Sequence, residues 1–228
     1  MARKKRRAYT PAEVPPPRPP IPQFVYKPRH DRQIEVARLW HRSTMLTLTG
    51  PAGTGKTHAA IAHALEDLLA GRIEKILIGR PAVSLDEDHG FLPGAMDMAG
   101  KLGPWLAPFG DVVGPSWPTL LRILGERIEP VAVGFSRGRT VRDAVMLIDE
   151  AQNLTLKQLK CLGTRPGPNG KVILSGDESQ SDVSGNRLVE FVGRMATVRG
   201  FRAVAFLPED QQRSRFVRAA CEALADWK

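Results

Sequence analysis

The sequence predicts a three-layer α/β/α fold around a mainly parallel sheet, and two observations carry that prediction. Short, largely uncharged apolar runs recur between longer segments of helical spacing, the pattern of strands covered on both faces. Several of these runs end abruptly in glycine, hydroxyl or carboxylate residues, as strands do at the edge where a parallel sheet receives its ligand.

The chain opens differently. Residues 1–32 hold nine Lys and Arg against Glu13 and Asp31, which is +7 of the net charge of +9. Eight of the 19 prolines lie between Thr10 and Pro28, and the run Pro15 to Pro20 favours an extended polyproline conformation without backbone pairing. Residues 1–27 are therefore expected to form a flexible, basic, proline-rich arm, and residues 28–228 a single domain. The arm is either a solvated terminal extension or a contact for nucleic acid. It begins MARKKRRAYT and runs into proline, unlike a secretory signal, and no stretch approaches the roughly 18 consecutive apolar residues of a membrane helix. The expectation is a cytoplasmic protein without a membrane partner. Cys161 and Cys221 stand far apart, with no CxxC or Cys/His cluster, so they predict neither a disulfide framework nor a zinc site; both are expected as small buried residues.

From His30 onward, Ile34, Val36, Ala37, Leu39 and Trp40 predict a short amphipathic helix. Met45 to Thr49 then reads as a strand, Gly50 to Gly53 as a tight loop, and Ala59, Ile61, Ala62, Ala64, Leu65 and Leu68 as the apolar face of a helix. Further strands are predicted at Lys75 to Gly79, Ala144 to Ile148, Val172 to Ser175 and Ala203 to Phe206. The Gly- and Pro-rich stretch from Val83 to Pro118 shows no regular pattern.

Gly50, Pro51, Ala52, Gly53, Thr54, Gly55, Lys56 and Thr57 match G-x-x-x-x-G-K-[ST] at every fixed position, between a predicted strand and a predicted helix. In that setting the glycines let successive backbone N–H groups converge on phosphates, and the helix N-terminus adds its dipole. Lys56 would neutralise β and γ phosphates, and the Thr57 hydroxyl would ligate Mg²⁺. Val145 to Ile148 lead into Asp149 and Glu150, which places a Mg²⁺-holding carboxylate, Asp149, at a strand end. Glu150, one residue on, either polarises the attacking water or is an outer carboxylate without catalytic duty. After the next strand, Gln180 could sense the γ phosphate or orient water, although a polar loop in this place is commonplace. Arg80, Arg137 and Arg139 contact phosphates or nucleic acid, or form ordinary salt bridges.

Beyond the P-loop, Arg80-Pro81-Ala82, Gly90-Phe91-Leu92-Pro93-Gly94, Arg137-Gly138-Arg139-Thr140, Asp149-Glu150-Ala151-Gln152 and Gly176-Asp177 with Gln180 follow in an order that resembles the PhoH-like family. Its ATPase domain is related to superfamily 1 helicases, so the resemblance implies a RecA-like P-loop NTPase fold and spans roughly Gln33 to Val217. It implies that Gln33, 17 residues before Gly50, reads adenine, whose donor and acceptor a glutamine amide can match, and this favours ATP. The other reading of Gln33 is a surface residue of the first helix. The resemblance also implies that Arg213, in Asp210-Gln211-Gln212-Arg213, acts on the γ phosphate; here two glutamines and Ser214 replace the usual aliphatic pair and histidine.

A helicase motor needs two RecA-like domains, and this length suits one. The resemblance therefore implies a homo-oligomeric ring, commonly a hexamer, in which a neighbouring protomer completes the site. The expected activity is Mg²⁺-dependent ATP hydrolysis coupled to single-stranded RNA or DNA, with RNA favoured and no nuclease activity. The alternatives are a nucleotide-controlled assembly module without catalysis and a small-molecule P-loop kinase, the latter disfavoured by the Asp149-Glu150 pair.

Overall fold

Alternation along each strand decides which side chains meet which layer. In β1 (Met45–Thr49), Leu46 and Leu48 face one side and Met45 the other; in β4 (Ala144–Ile148), Val145 and Leu147 oppose Met146 and Ile148. β2 (Lys75–Gly79) and β5 (Gly170–Gly176) alternate in the same way. Both faces are therefore apolar and both are covered. The computed structural model describes residues 24–81, 103–133, 140–181 and 187–212, together with Phe216 and Ala219.

Against the first face pack α1 (Asp31–Trp40), α2 (Lys56–Leu69), α3 (Gly103–Val113) and α4 (Trp117–Leu124), through residues such as Val36, Leu65, Phe109 and Leu120. Against the second lie α5 (Leu156–Gly163) and α6 (Arg187–Met195), through Leu159, Leu162, Leu188 and Phe191. With β3 (Ile128–Pro130) and β6 (Phe201–Ala205) at its edges, the sheet runs β3-β2-β4-β5-β1-β6, and every pairing is parallel. This is the three-layer α/β/α architecture expected of the RecA-like class.

β1, β2 and β4 coincide with the predicted runs, β5 is longer at both ends, and β6 begins two residues earlier than expected. β3 carries Glu129 and Pro130 and gives no strand signal, which is tolerable because it pairs only with β2 at the sheet edge. The stretch that shows no pattern in sequence contains α3, helical despite Pro108, and the start of α4. Residues 82–102, with the predicted Gly90 to Gly94 loop, lie outside the described residues.

α2 is buried almost all round, as packing between the sheet and α1 and α3 requires. Tyr26, inside the segment read from sequence as arm, is buried against it: its backbone N–H donates to Glu66 Oε1 at 3.1 Å, and its ring meets the His63 ring edge-on at 5.0 Å. The packed chain thus starts before residue 28, because one aromatic of the arm finds a place in the core. Residues 1–23 lie outside the described residues. At the far end of α1 the Trp40 indole donates to Asp67 Oδ2 at 2.7 Å, while Lys171 donates to the Trp40 carbonyl and sits over its ring at 4.5 Å. Burial pushes Lys171 down to about 8. Cys161 is a free thiol and only half-buried, on the partly exposed side of α5, rather than buried as its residue type suggests; Cys221 lies outside the described residues.

Candidate functional site

Strand order determines what gathers at the carboxyl edge. Since β2, β4, β5 and β1 lie side by side, Arg80, Asp149 with Glu150, Asp177 and the loop from Gly50 end up at one rim. A cavity of about 270 Å³ opens there, lined by Ala52 to Thr57 in part, His58, Asp149, Glu150, Asp177 and Gln180.

The loop from Gly50 wraps tightly because its glycines take backbone angles other residues resist. Gly50 has φ 126° and Gly55 φ 86°; a Cβ on Gly50 would strike the Phe206 carbonyl, and one on Gly55 the Gln33 amide. α2 begins at Lys56, so the helix N-terminus points into the cavity. Lys56 Nζ folds back to donate to the Gly50 carbonyl at 2.6 Å and the Pro51 carbonyl at 2.7 Å, which sets its ammonium over the loop. Thr54 is buried, and its hydroxyl donates to the Pro51 carbonyl at 2.9 Å, closing the loop internally.

Thr57 Oγ1 donates to Asp149 Oδ1 at 2.8 Å. Because that proton is committed, Ser175, 3.1 Å away, is the donor to the Thr57 oxygen. Asp149 Oδ2 accepts from Arg80 Nη2 at 3.0 Å. An all-oxygen set of hydroxyl and carboxylate is the ligand chemistry that suits a hard divalent ion such as Mg²⁺, while Arg80, paired to the second carboxylate oxygen, reduces the charge that Asp149 would offer it.

Glu150, the next residue, has different partners from Asp149. Its backbone is left-handed, φ 54° and ψ 38°, an uncommon state for a non-glycine residue, and its exposed carboxylate is held by Gln152 Nε2 at 2.7 Å. Gln152 is itself buried, and its Oε1 accepts from the Asp177 N–H at 3.0 Å. Asp177 reaches the loop: its Oδ2 accepts from the Ala52 N–H at 2.8 Å. Gln180 follows in a short 3₁₀ turn and lines the cavity.

Gln33 is not a surface residue. It is 1% exposed; its Oε1 accepts from the Arg29 N–H at 2.8 Å, and its Nε2 lies 3.5 Å from the Gly55 carbonyl. Beside it, His30 Nε2 is 3.0 Å from the Thr54 carbonyl and Nδ1 is 3.1 Å from Asp210 Oδ1, and the Gln212 N–H donates to the Gly53 carbonyl at 3.1 Å. The P-loop is thus braced on one side by the segment before α1 and on the other by the segment after β6. His58, whose ring lies 5.7 Å from that of Tyr26, is held below the usual imidazole range by burial, and further by Arg29, against an opposite pull from Asp111.

Of the residues predicted from sequence, Gly50 to Thr57, Arg80, Asp149, Glu150 and Gln180 come together, with Gln33 directly behind Gly55; Arg80 here forms a salt bridge, one of its two expected uses. Arg213, Arg137 and Arg139 lie outside the described residues. Sequence pattern alone does not show the bracing contacts of Asp177, Gln152, His30 and Asp210. Gln152 and Asp177 stand in the quoted motifs, but nothing in sequence pairs His30 with Asp210, 180 positions later. Among the described residues no helix is long and apolar enough to cross a membrane.

A family model, PhoH-like protein, matches residues 25–225. The chain is 41% identical over 155 residues to the PhoH-like protein of Bacillus subtilis, covering 66% of this chain and 48% of that one. It is 38% identical over 160 residues to protein PhoH of Escherichia coli, covering 68% and 45%. The chain thus spans about half the length of the curated relatives it matches. Among solved structures, the large terminase of a thermophilic bacteriophage superposes with a TM-score of 0.55 at 12% identity, over 87% of this chain and 50% of the other, a likeness of fold.

Proposed function

This chain belongs to the PhoH-like protein family, and on that footing we propose that it binds Mg·ATP at the rim formed by Gly50 to Thr57 and hydrolyses the β–γ phosphoanhydride bond. The observation that carries the reading is the Thr57–Asp149 hydrogen bond of 2.8 Å, with Glu150, the next residue, lining the same cavity. One carboxylate is buried beside the P-loop hydroxyl; the next is exposed at the mouth of the cavity. That is the division of labour that phosphoryl transfer to water needs: one group for the metal, one for the nucleophile.

The N–H groups of the loop and the α2 N-terminus receive the phosphates, and Lys56 supplies a mobile positive charge to the β and γ oxygens. When bound, Mg²⁺ neutralises charge developing on the phosphate oxygens, and Thr57 and Asp149 are the residues that would hold it. Glu150, oriented by Gln152, accepts a proton from the attacking water; Gln180 meets the γ phosphate or that water. Gln33 is assigned to adenine by the family pattern; its buried amide, which now accepts from the Arg29 N–H and lies 3.5 Å from the Gly55 carbonyl, would have to leave both partners to meet the base edge. Arg213 is assigned to the γ phosphate by the family pattern alone.

The described residues build one sheet with one such rim, so an arginine approaching from outside would come from another protomer. A homo-oligomeric ring, hexameric by the family pattern, meets that need. The basic residues of positions 1–32 support single-stranded RNA or DNA as the coupled partner, through phosphate contacts. The test is ATP hydrolysis by the purified chain and by Glu150→Gln, with and without single-stranded RNA and DNA, alongside mass determination in solution. Turnover that requires Glu150, rises with nucleic acid and comes from a ring supports the whole proposal. ATP binding with no Glu150-dependent turnover under any condition refutes the enzyme and leaves a nucleotide-controlled assembly module.

A further inference from the structure

The P-loop and the turn after β5, two backbone segments that line one cavity, are tied together by one side chain. Asp177, 6% exposed at the end of β5, uses both carboxylate oxygens: Oδ2 accepts from the Ala52 N–H of the P-loop at 2.8 Å, while Oδ1 accepts from the Ser179 N–H at 3.0 Å and the Ser179 hydroxyl at 2.6 Å. Its carbonyl accepts from the Gln180 N–H at 3.1 Å, which forms the turn that presents Gln180. Its own N–H donates to Gln152 Oε1 at 3.0 Å, and the other end of that amide donates to Glu150 Oε2 at 2.7 Å. Gly176 leaves room for this crossing, since a Cβ there would come within 2.8 Å of Gln152 Oε1.

We infer that Asp177 is a positioning residue: with Gln152 it joins the P-loop, Gln180 and Glu150 into one unit that moves, or stays fixed, together when a γ phosphate arrives. Ala52 lies early in the loop, before the helix-start N–H groups at Lys56 and Thr57, so the carboxylate braces the loop without taking those donors. Charge-assisted hydrogen bonds to backbone N–H groups are short and strong, which suits a strap that holds geometry in the lining of the cavity. Asparagine cannot replace it. Its single oxygen serves either Ala52 or Ser179, and its NH₂ would face an N–H at the other.

The inference rests on the nucleotide-binding reading above, and its test separates the two. Affinities for ADP and for a non-hydrolysable ATP analogue are measured by calorimetry on the full chain, its Asp177→Asn and Gln180→Ala variants and the double variant, together with kcat. The wild type is expected to favour the triphosphate, and Asp177→Asn to shrink that preference about tenfold with ADP affinity changed less than about threefold. The double variant is expected to lose no more than Gln180→Ala alone, within about threefold, because both changes disable one unit. Ser179→Ala, which removes only the hydroxyl contact, is expected to show the same pattern more weakly and serves if Asp177→Asn fails to fold. Losses that multiply in the double variant, or a triphosphate preference unchanged in both Asp177→Asn and Ser179→Ala, overturn the inference. A wild type that binds neither nucleotide overturns the reading on which it stands, and one that binds without turnover still tests the strap through the affinity ratio.

Discussion

Thr57 at the start of α2 and Asp149 at the end of β4 are 92 positions apart in the chain and 2.8 Å apart in the fold. Their contact is a product of strand order: β4 is separated from β1, which feeds the P-loop, only by β5. Asp149 also neutralises Arg80, so its carboxylate serves two positively polarised partners.

Asp149→Asn keeps the shape of that side chain and removes the charge. Hydrolysis should then need at least about 10- to 100-fold more Mg²⁺ for half-maximal rate, since altering even the outer partners of a metal's ligands costs that much. Thr57→Ala should move the same midpoint in the same direction. A Mg²⁺ titration of ATP turnover reads both, and an unchanged midpoint would remove the metal assignment.

Glu150→Gln should lower kcat by about 10² to 10⁴ while leaving ATP affinity near that of the wild type, because the group acts on the water and not on the bound phosphates. Gln152→Ala should give a smaller loss, about tenfold, through the freed Glu150 carboxylate. Single-turnover rates beside equilibrium binding separate the two effects.

What sequence makes legible here is what local pattern determines. Met45 to Thr49 followed by Gly50 to Thr57 declares strand, loop and helix within 25 residues, and an apolar run ending in Asp149 and Glu150 declares a second strand end at the same rim. The α3–α4 region stays hidden because Gly103, Pro104, Pro108 and Gly110 mask a helix that packing against α2 sustains. Gln33 is open to two readings in sequence because burial depends on the loop behind it; Gly55, which has no Cβ, lets its amide lie against the P-loop. The His30–Asp210 contact is tertiary in origin and leaves no periodic trace.

Two glycines outside regular structure should respond differently to alanine. Gly71 has φ 69° and open space around its Cβ position, so Gly71→Ala bears only the left-handed backbone, about 1–2 kcal/mol. Gly50 adds a collision with the Phe206 backbone carbonyl, where nothing can swing aside, so Gly50→Ala should cost roughly 3 kcal/mol or more and abolish nucleotide binding. Urea unfolding curves with equal slopes would show the ranking; similar losses at both sites would contradict the clash.

Stability should fall as pH drops from about 7.5 towards 5, and His63 should account for part of the fall. His63 lies on α2 under Tyr26 and Trp40, its Nδ1 3.0 Å from Glu66 Oε2 and its buried Nε2 without a hydrogen-bond partner among the described residues. Burial holds it below the usual imidazole range; Glu66 and Asp67 pull the other way, and His41 of the neighbouring segment adds to the lowering. Below about 6.5 the unfolded chain takes up a proton that the folded chain refuses, so the unfolded state binds more protons and stability rises with pH across that window. Above it the contribution is fully present; as pH falls towards the folded-state value it is lost. His58, lowered by burial and by Arg29, acts in the same direction. His63→Gln removes one titrating group while keeping a side chain able to hydrogen-bond to Glu66, so its melting temperature should vary less between about pH 7.5 and 5 than that of the wild type. Calorimetric scans at half-unit steps decide it: parallel curves for the two proteins would mean that His63 is protonated as readily folded as unfolded, and that the burial of its Nε2 has no thermodynamic weight.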